Sequence, residues 1–475
     1  MRPIIVVSIV RHFLPVLAGA SLLASVTAET HWPQFRGPGG LGVAAEGDDF
    51  PVHFGPDTNL AWKVALPPGN SSPCVWGDRI FVTGFTDPDL ETICLERATG
   101  AVLWRKGVPA DTVERGSTLG NPASPTPTAD GQRVYAYFGS FGVVAYDLEG
   151  NEAWRRPLPT PVTQHGVGTS PVLAGGRLLV LRDQDVGSEL LALDVADGQV
   201  VWRQERADFR RGFATPLVVG RGSETAVLVP GTLQATLYRA SDGARQWSVD
   251  GLPNEVCASP AAGGGLLFVC GWTPGSGVPR MPAFDGLLQA GDADQDGRLA
   301  REEAPNGPAR QHFPYIDADK DGFLTRAEYE SIASIFNRSQ NALLALRVDP
   351  GGPTVAWKQT RGLPYVPSPL YYRERLHLVK NGGLVSCFRA TTGEVLYQEE
   401  RLGVMGDFYA SPVAANGKLL MTAQPGTFVV LRAADELEVL ARNPLGEPVM
   451  ATPAIVGRTL LVRGQKHLWA FREGP

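Results

Sequence analysis

Short apolar or alternating segments, separated by turn residues, run through most of the chain. Residues 170–203 show the pattern best, with apolar stretches at 171–173, 177–181, 190–193 and 199–202. Gly175-Gly176 separates the first two stretches and Asp197-Gly198 separates the last two, and both pairs are typical of tight hairpin turns because glycine accepts a positive φ. The pattern therefore predicts four short antiparallel strands in about 35 residues.

The same unit repeats along the chain, marked by a small residue and a proline at the start of its first strand. Most intervals between these prolines lie in the forties, which is the length of one four-stranded propeller blade, and one interval is 109 residues. We predict an all-β fold of eight blades, with an insertion in the fifth. The eight markers are Ser72-Pro73, Ser124-Pro125, Ser170-Pro171, Thr215-Pro216, Ser259-Pro260, Ser368-Pro369, Ser411-Pro412 and Thr452-Pro453.

A glycine corner followed by an aromatic residue marks the outer strand of most repeats. Thr99-Gly100 leads to Trp104 and Asp197-Gly198 leads to Trp202, and a tryptophan at this offset is expected to pack between neighbouring blades. The eighth repeat ends after three strands. Residues 60–64 have an outer-strand sequence with no blade before them, so we predict that this N-terminal strand completes the eighth blade and closes the ring.

The corner resembles the quinoprotein-type repeat, roughly Ala-x-Asp-x-x-Thr-Gly-x-x-x-Trp, which Ala192-Leu193-Asp194 to Trp202 follows with Asp197 at the threonine position. The segment from His31 to Pro38 is similar to the N-terminal segment of exported bacterial propellers of this kind. The resemblance extends to the propellers of the outer-membrane assembly factor BamB. It implies an eight-bladed fold over residues 60–475 outside the insertion.

The N-terminus predicts export. Arg2 and Arg11 stand before an apolar run that ends in the small residues Val26-Thr27-Ala28. This arrangement is typical of a signal peptide cleaved after Ala28. The alternative is an uncleaved membrane anchor. No cysteine follows the run until Cys74, which argues against a lipid anchor. The predicted organisation is a signal peptide at 1–28, an extended segment at 29–59, and a propeller at 60–475 with an insert at 284–338.

Charge and cysteine content limit the classes of partner and indicate the state of the cysteines. The net charge of −6 and the lack of a basic cluster argue against nucleic acid as a partner. The five cysteines are interpreted as buried apolar side chains, with a pairing of Cys257 and Cys270 across a hairpin as the alternative. We expect a monomer without stable membrane insertion after cleavage.

The insertion contains two twelve-residue calcium-loop patterns. In each loop carboxylates stand at positions one, three and five, a backbone carbonyl at seven, and a glutamate at twelve, which together supply the oxygen ligands that Ca²⁺ prefers. The alternative is an acidic surface loop. We predict two structural Ca²⁺ sites, with Leu299 and Leu324 joining the loops in a short β-contact. The predicted ligands are Asp292, Asp294, Asp296, Arg298 and Glu303 in the first loop, and Asp317, Asp319, Asp321, Phe323 and Glu328 in the second.

The position of the insert and the loops before each proline predict a binding face. Because the insert joins the second and third strands of blade 5, it should emerge on the same face as the blade-to-blade loops, beside the mouth of the central channel. Those loops carry polar and aromatic residues, as small-ligand sites do, with solvated loop residues as the alternative. The residues predicted to line the mouth are Asn121, His165, Arg211, Glu255, Tyr365, Asp407 and Glu447.

Two functions remain. The resemblance implies a dehydrogenase dependent on pyrroloquinoline quinone (PQQ), acting on alcohols or sugars, but no vicinal cysteine pair occurs here, and the EF-hand loops surround their Ca²⁺ with ligands of their own. PQQ is therefore not expected to bind. The favoured hypothesis is a non-catalytic exported scaffold that binds a protein or glycan on its top face. No Ser-His-Asp set, zinc cluster or phosphate loop indicates another enzyme class.

Overall fold

Each repeat forms one four-stranded antiparallel sheet, because its strands are short and its turns carry glycine. The computed structural model describes residues 31–110, 112–114, 120–163, 165–274 and 281–474, so the predicted signal peptide lies outside the described residues. Eight such sheets are present, which confirms the eight-bladed propeller. None of the helices in the described ranges is both long and apolar enough to cross a bilayer.

The first four blades follow the chain in simple order. Within each blade the strands pair in sequence from the innermost to the outermost. Their bounds are Cys74–Trp76, Arg79–Thr86, Asp89–Glu96 and Val102–Pro109 in blade 1; Thr128–Ala129, Arg133–Phe138, Gly142–Asp147 and Glu152–Pro157 in blade 2; Val172–Ala174, Arg177–Arg182, Glu189–Asp194 and Val200–Glu205 in blade 3; Leu217–Val219, Ala226–Pro230, Gln234–Arg239 and Arg245–Asp250 in blade 4.

The last four blades include the insertion and the closure. Blade 8 takes its outer strand, Leu60–Ala65, from the N-terminal side, where it pairs with the last strand of the chain, so the predicted ring closure is confirmed. The bounds are Ala261–Gly263, Leu266–Gly271, Ala342–Asp349 and Gly352–Gln359 in blade 5; Leu370–Tyr372, Arg375–Lys380, Leu384–Arg389 and Val395–Arg401 in blade 6; Val413–Ala415, Lys418–Ala423, Thr427–Arg432 and Val439–Pro444 in blade 7; Ala454–Val456, Thr459–Arg463 and His467–Phe471 in blade 8.

A belt of hydrogen bonds joins the blades around the channel. In seven places within the described residues, the backbone N–H of one Ser or Thr marker donates to the side-chain hydroxyl of the next marker, at 2.8–3.1 Å. In blade 2 this position belongs to Thr126, two residues after the predicted Ser124. The prediction for blade 2 was wrong by two residues because Ser124-Pro125-Thr126-Pro127 contains the motif twice, and the pairing of Thr128 with Tyr135 decides the register. The markers therefore hold the ring together.

The outer tryptophans pack between blades, as predicted. The indole N–H of Trp104 donates to the carbonyl of Leu148 in blade 2, at 3.0 Å. Trp154 and Trp202 make the equivalent bonds to Val195 and Ala240 in the next blades. A Cβ at Gly198 would lie 2.4 Å from the Trp154 ring, so the corner glycine leaves the space that the indole of the preceding blade fills.

The segment before the first strand covers the end of the channel opposite to the Ser/Thr markers. Trp32 forms a β-bridge with Val75 of blade 1. Arg36, fully buried, donates to the carbonyl oxygens of Pro260 at 3.1 Å and Pro369 at 2.6 Å, which immediately precede the innermost strands of blades 5 and 6. The segment then runs along blade 7 and, where the Asp49 N–H donates to the Gly457 carbonyl, reaches the first turn of blade 8. This end of the channel is therefore closed.

The insert is a small helical unit between the second and third strands of blade 5. Its helices are α1 (Phe284–Gly291), α2 (Pro308–Gln311), α3 (Phe313–Ile316) and α4 (Arg326–Arg338), and its two short strands are Leu299–Ala300 and Phe323–Leu324. Leu299 pairs with Leu324, as predicted. The apolar side chains of the insert form a cluster of their own, distinct from the clusters between blades.

Candidate functional site

The predicted ring residues divide among three places at the open end of the channel. His165 and Tyr365 line the channel cavity itself, which has a volume of about 180 Å³ and reaches Phe35 at its closed end. Asn121 and Asp407 line a second cavity. The remaining residues form ion pairs or hydrogen bonds at the rim or behind it.

The wall of the channel cavity is made mainly of the belt residues. All eight of them, from Ser72 in blade 1 to Thr452 in blade 8, line it together with Cys257 and Tyr409. His165 is half-buried and meets Phe213 edge-on at 5.7 Å between ring centroids. Burial, and secondarily the positive charge of Arg211, lowers the pKa of His165, so its imidazole is neutral at pH 7.

An ionic and aromatic cluster lies at the rim between blades 3 and 5. The Arg211 guanidinium donates to both carboxylate oxygens of Asp185, at 2.6 and 3.2 Å. Its other face lies 4.2 Å from the ring centroid of Tyr315, on α3 of the insert. Glu255 accepts a hydrogen bond of 3.2 Å from the Tyr365 hydroxyl, and burial raises the pKa of this carboxyl. The insert therefore contacts the predicted mouth residues directly.

A second cavity, of about 410 Å³, opens between blades 6, 7, 8 and 1. We call it the blade-8 cavity. Asn121 and Asp407 are on its wall, and Asn121 also accepts a hydrogen bond from the Ala123 N–H at 2.8 Å. The residues that line it are Pro68, Gly69, Asn70, Gly120, Asn121, Asp407, Tyr409, Gln424, Pro448, Met450, Arg463, Gly464 and Gln465.

Glu447 has a structural environment behind this cavity. Its carboxylate accepts hydrogen bonds from the backbone N–H groups of Lys466 and His467 and from the Trp469 indole. Its Oε2 also lies 2.8 Å from His467 Nδ1. These hydrogen bonds stabilise the charged carboxylate and, against its partial burial, lower the pKa of Glu447. Glu447 therefore fixes the third strand of blade 8 instead of facing a cavity.

The predicted calcium-loop residues come together in two clusters. The carboxylate oxygens of Asp292, Asp294 and Asp296 lie within 4.8 Å of one another, and so do those of Asp317, Asp319 and Asp321. Gly297 and Gly322, at position six, have φ of 80° and 89°, which permits the turn at this point of each loop.

The last residue of each loop closes it. Glu328 accepts hydrogen bonds from the N–H of Ala318, at the start of the loop, and from the Thr325 N–H at 3.0 Å, and it forms a capping box with Thr325 at the start of α4. Glu303 accepts from Ala293 and Ala300 in the first loop. Asp317 is 6% exposed, and its Oδ1 has no hydrogen-bond partner among the described residues.

The five cysteines are free thiols, and four of them are buried as the favoured interpretation expected, whereas Cys257 is partly exposed. Cys270 pairs across the sheet with Leu343, and Cys257 lies outside the strands, so the two do not face each other across a hairpin. Burial raises the pKa of all five thiols.

Two residues of this face escaped the sequence analysis. Arg463 ends the apolar second strand of blade 8 and lies 1% exposed beside the blade-8 cavity; the charge at the end of an otherwise apolar strand is the one sequence feature that sets it apart. Glu114, 5% exposed, lies on a loop beside Gly139 and Gly166, and nothing in its local sequence indicates burial.

The fold is an eight-bladed propeller with quinoprotein-type repeats. Its open face carries the helical insert and two cavities. The family described as outer membrane protein assembly factor BamB matches residues 52–221 and 190–299, together just over half of the chain. The chain therefore belongs to the BamB family of propellers.

The proteins to which the chain is similar differ from it widely in sequence. A BamB from Alkalilimnicola ehrlichii is 30% identical over 154 residues, which are 32% of this chain and 36% of that protein, so the match spans about a third of the relative. The crystal structure of BamB from Moraxella catarrhalis has a TM-score of 0.57 at 12% identity, covering 87% of this chain and 99% of that one. A europium-containing methanol dehydrogenase has a TM-score of 0.58 at 10% identity, covering 94% and 99%. At these identities the solved structures show the shared fold alone.

Proposed function

We propose that this protein is an exported propeller that binds Ca²⁺ in its insert and binds a protein partner on its top face without catalysing a reaction. The observation that carries the proposal is the asymmetry of the ring: one end is closed by the segment around Arg36, whereas the other presents two cavities with polar and aromatic walls. The family supports a protein partner, because its description names an assembly factor. A glycan partner is the alternative.

The insert fits Ca²⁺. Three carboxylates in each loop converge within the span of one cation's coordination shell, and the unpartnered Oδ1 atoms of Asp292 and Asp317 supply lone pairs with no other use in the described structure. A buried carboxylate oxygen without a partner is costly, and a bound cation removes that cost. Arg298 and Phe323 would add their backbone carbonyls, and Glu303 and Glu328 would complete the two shells.

The channel does not fit PQQ, which carries three carboxylates. The described residues that line the channel cavity are mainly hydroxyl, small and aromatic residues, with His165 as their titratable nitrogen base and no arginine or lysine among them. The hydroxyls of four of these residues already accept a hydrogen bond from a backbone N–H of the neighbouring blade. They are those of Ser170, Thr215, Ser259 and Ser368. The cavity volume, about 180 Å³, also lies below the roughly 300 Å³ at which small-molecule sites begin.

The proposal is tested by cross-linked capture from the exported fraction of cells that produce the protein. Asp407→Arg changes the charge of an exposed residue on the top face, and Asp197→Arg makes the same change in a turn at the opposite end of blade 3. A partner enriched by the wild type and by Asp197→Arg, and at least fivefold less by Asp407→Arg, supports the proposal. Equal capture by both variants contradicts it.

A cofactor assay tests the alternative function. The purified protein is supplied with PQQ, Ca²⁺, an artificial electron acceptor and a panel of alcohols and sugars. We expect no saturable PQQ binding and no turnover. Turnover that depends on PQQ would replace the scaffold proposal with the dehydrogenase.

A further inference from the structure

Another cavity lies where the segment that closes the channel runs along blade 7, and its wall is basic. Its volume of about 500 Å³ is within the range of small-ligand sites. Three of the eight described residues that line it carry a positive charge, and none of the eight is acidic. We call it the blade-7 cavity. The residues that line it are Val52, Arg373, Asn416, Gly417, Lys418, Arg432, Ala433 and Leu440.

Arg373 presents an accessible guanidinium to this cavity. The residue is exposed, and its guanidinium forms no hydrogen bond or ion pair with the described residues. Its position is nevertheless defined by two neighbours: its Cζ lies 5.3 Å from the ring centroid of Tyr372, and a Cβ at Gly417 would lie 2.8 Å from its Nη1. The Tyr372 hydroxyl in turn accepts a hydrogen bond of 2.8 Å from the Gly417 N–H. The guanidinium therefore lies over the first turn of blade 7 with its N–H donors unused.

The backbone at Arg373 adopts a conformation that favours glycine. Arg373 and Glu374 form the two-residue turn between the first two strands of blade 6, with φ of 48° and 63°. The same turn is Gly175-Gly176 in blade 3, Gly264-Gly265 in blade 5 and Asn416-Gly417 in blade 7, which are residues that accept a positive φ. Backbone strain of this kind concentrates at binding and catalytic sites. It indicates that the Arg373 side chain has a role that a glycine or asparagine would not serve.

The other two cations on the wall have only partly used their donors. Lys418 Nζ lies 2.7 Å from Asp49 Oδ1 and donates to the Phe50 carbonyl, which leaves one of its three donors free. Arg432 Nε pairs with Glu438 at 2.7 Å, but both side chains are about half exposed, so the pair is weak and another anion can compete for the guanidinium. One of the three cations therefore has no counter-ion among the described residues, and the other two can add to the binding of an anion.

A phosphate monoester matches these groups. Its phosphate is mainly a dianion above about pH 6, and three nearby cations attract a dianion more strongly than a monoanion. The planar guanidinium of Arg373 can donate to two phosphate oxygens at once. Val52 and Leu440 add an apolar wall for the organic part of the ester.

We propose that the blade-7 cavity binds a phosphate monoester of a small organic molecule, with Arg373 as the residue that holds the phosphate. The site goes beyond the proposed function, because it lies at the closed end of the ring and not on the top face.

The test is calorimetry at pH 7.5 on the full-length protein with three matched probes: phenyl phosphate, benzoate and phenol. We expect phenyl phosphate to bind at least tenfold more tightly than the other two, and Arg373→Asn to weaken its binding at least tenfold. Asparagine accepts the positive φ, as Asn416 does, so this variant should melt no lower than the wild type. Arg432→Gln should weaken binding about threefold. Arg221→Asn, the same change in an exposed turn of blade 4, should bind as the wild type does.

The possible results separate the site from its ligand and from the proposed function. No binding of phenyl phosphate, or binding that Arg373→Asn leaves unchanged, would overturn the site. Benzoate that binds as tightly would overturn the choice of a dianion, and inorganic phosphate that binds as tightly would overturn the choice of an ester. Asp407→Arg, the top-face variant of the capture experiment, should bind phenyl phosphate as the wild type does, so each proposal can fail while the other stands.

Discussion

The guanidinium of Arg211 lies 4.2 Å from the ring centroid of Tyr315, and this contact joins the helical insert to the mouth of the channel. Tyr315 stands two residues before Asp317, the first predicted ligand of the second calcium loop, so a single residue separates the contact with the mouth from this loop. The far end of the insert is also tied to the propeller, because the Asn254 N–H donates to Ser339 Oγ at 2.9 Å.

The contact between Arg211 and Tyr315 should contribute measurably to stability. A double-mutant cycle with Arg211→Gln and Tyr315→Leu isolates it from the ion pair between Arg211 and Asp185. Since the pair is partly buried, we expect a coupling free energy of about 1 kcal/mol in urea unfolding. A coupling indistinguishable from zero would mean that the insert rests on the mouth without energetic contact.

Calcium should bind at two sites and stabilise the insert. Titration calorimetry should give two sites for the wild type and one for Asp317→Asn or Asp292→Asn. At 10 mM Ca²⁺, with the affinities of about 10⁻⁴–10⁻³ M usual for extracellular modules, each occupied site should add about 1.4–2.7 kcal/mol to the free energy of unfolding.

The propeller should keep its fold when calcium is removed, because the insert has its own apolar cluster. Circular dichroism in chelator checks this expectation. Loss of the β-sheet signal on chelation would show that the ring depends on the insert.

The hydroxyl belt should be sensitive to single substitutions. Ser411→Ala leaves the buried N–H of Ser368 without its acceptor, which lies 3.1 Å away in the wild type. We expect a loss of about 1–3 kcal/mol in unfolding free energy, measured by urea denaturation. Ser241→Ala, at an exposed turn, is the control and should change stability by less than about 0.5 kcal/mol.

The buried ion pair in blade 3 should be costly to break. Arg206 and Asp183 are both fully buried and joined by two hydrogen bonds of 2.6 and 2.8 Å. Asp183→Asn leaves the guanidinium uncompensated, so we expect a loss of about 3–5 kcal/mol. Asp242→Asn removes the charged partner of Arg239 in a solvent-exposed pair and should cost far less than Asp183→Asn. Similar losses in the two variants would contradict this assignment.

Glu114 should make the protein less stable as the pH rises. Burial raises the pKa of its carboxyl to about 7, whereas in the unfolded chain it titrates near 4.3. Because the folded state holds the proton more tightly, the stability that this group contributes is complete below about pH 4.3 and is lost as the pH rises through about 7.

Comparison with Glu114→Gln tests that expectation. Between pH 4.5 and pH 8 the wild type should lose stability relative to the variant by on the order of 3 kcal/mol in urea unfolding. Glu436→Gln, at an exposed position, serves as the matched control. A constant difference between wild type and Glu114→Gln across this range would show that the carboxyl is ionised throughout.

Local sequence predicted the repeating parts of this protein because each blade is built from contacts close in the chain. Turn pairs such as Gly175-Gly176 and corners such as Gly198 with Trp202 specify a hairpin or an interblade contact by themselves. The ring closure by residues 60–65 was also predictable, since this outer-strand sequence belongs to no blade of its own and only the eighth repeat lacks an outer strand. The pairing of Leu299 with Leu324 followed from loop spacing alone.

Tertiary structure alone decided which of the predicted mouth residues share a cavity. Asn121, His165 and Glu447 occupy equivalent loops, yet the first lines the blade-8 cavity, the second the channel, and the third holds the backbone of blade 8. Arg463 and Glu114 are buried by segments distant in sequence, so their burial does not follow from the local pattern. Side-chain direction and desolvation depend on how neighbouring blades pack, and that information is spread over the whole ring.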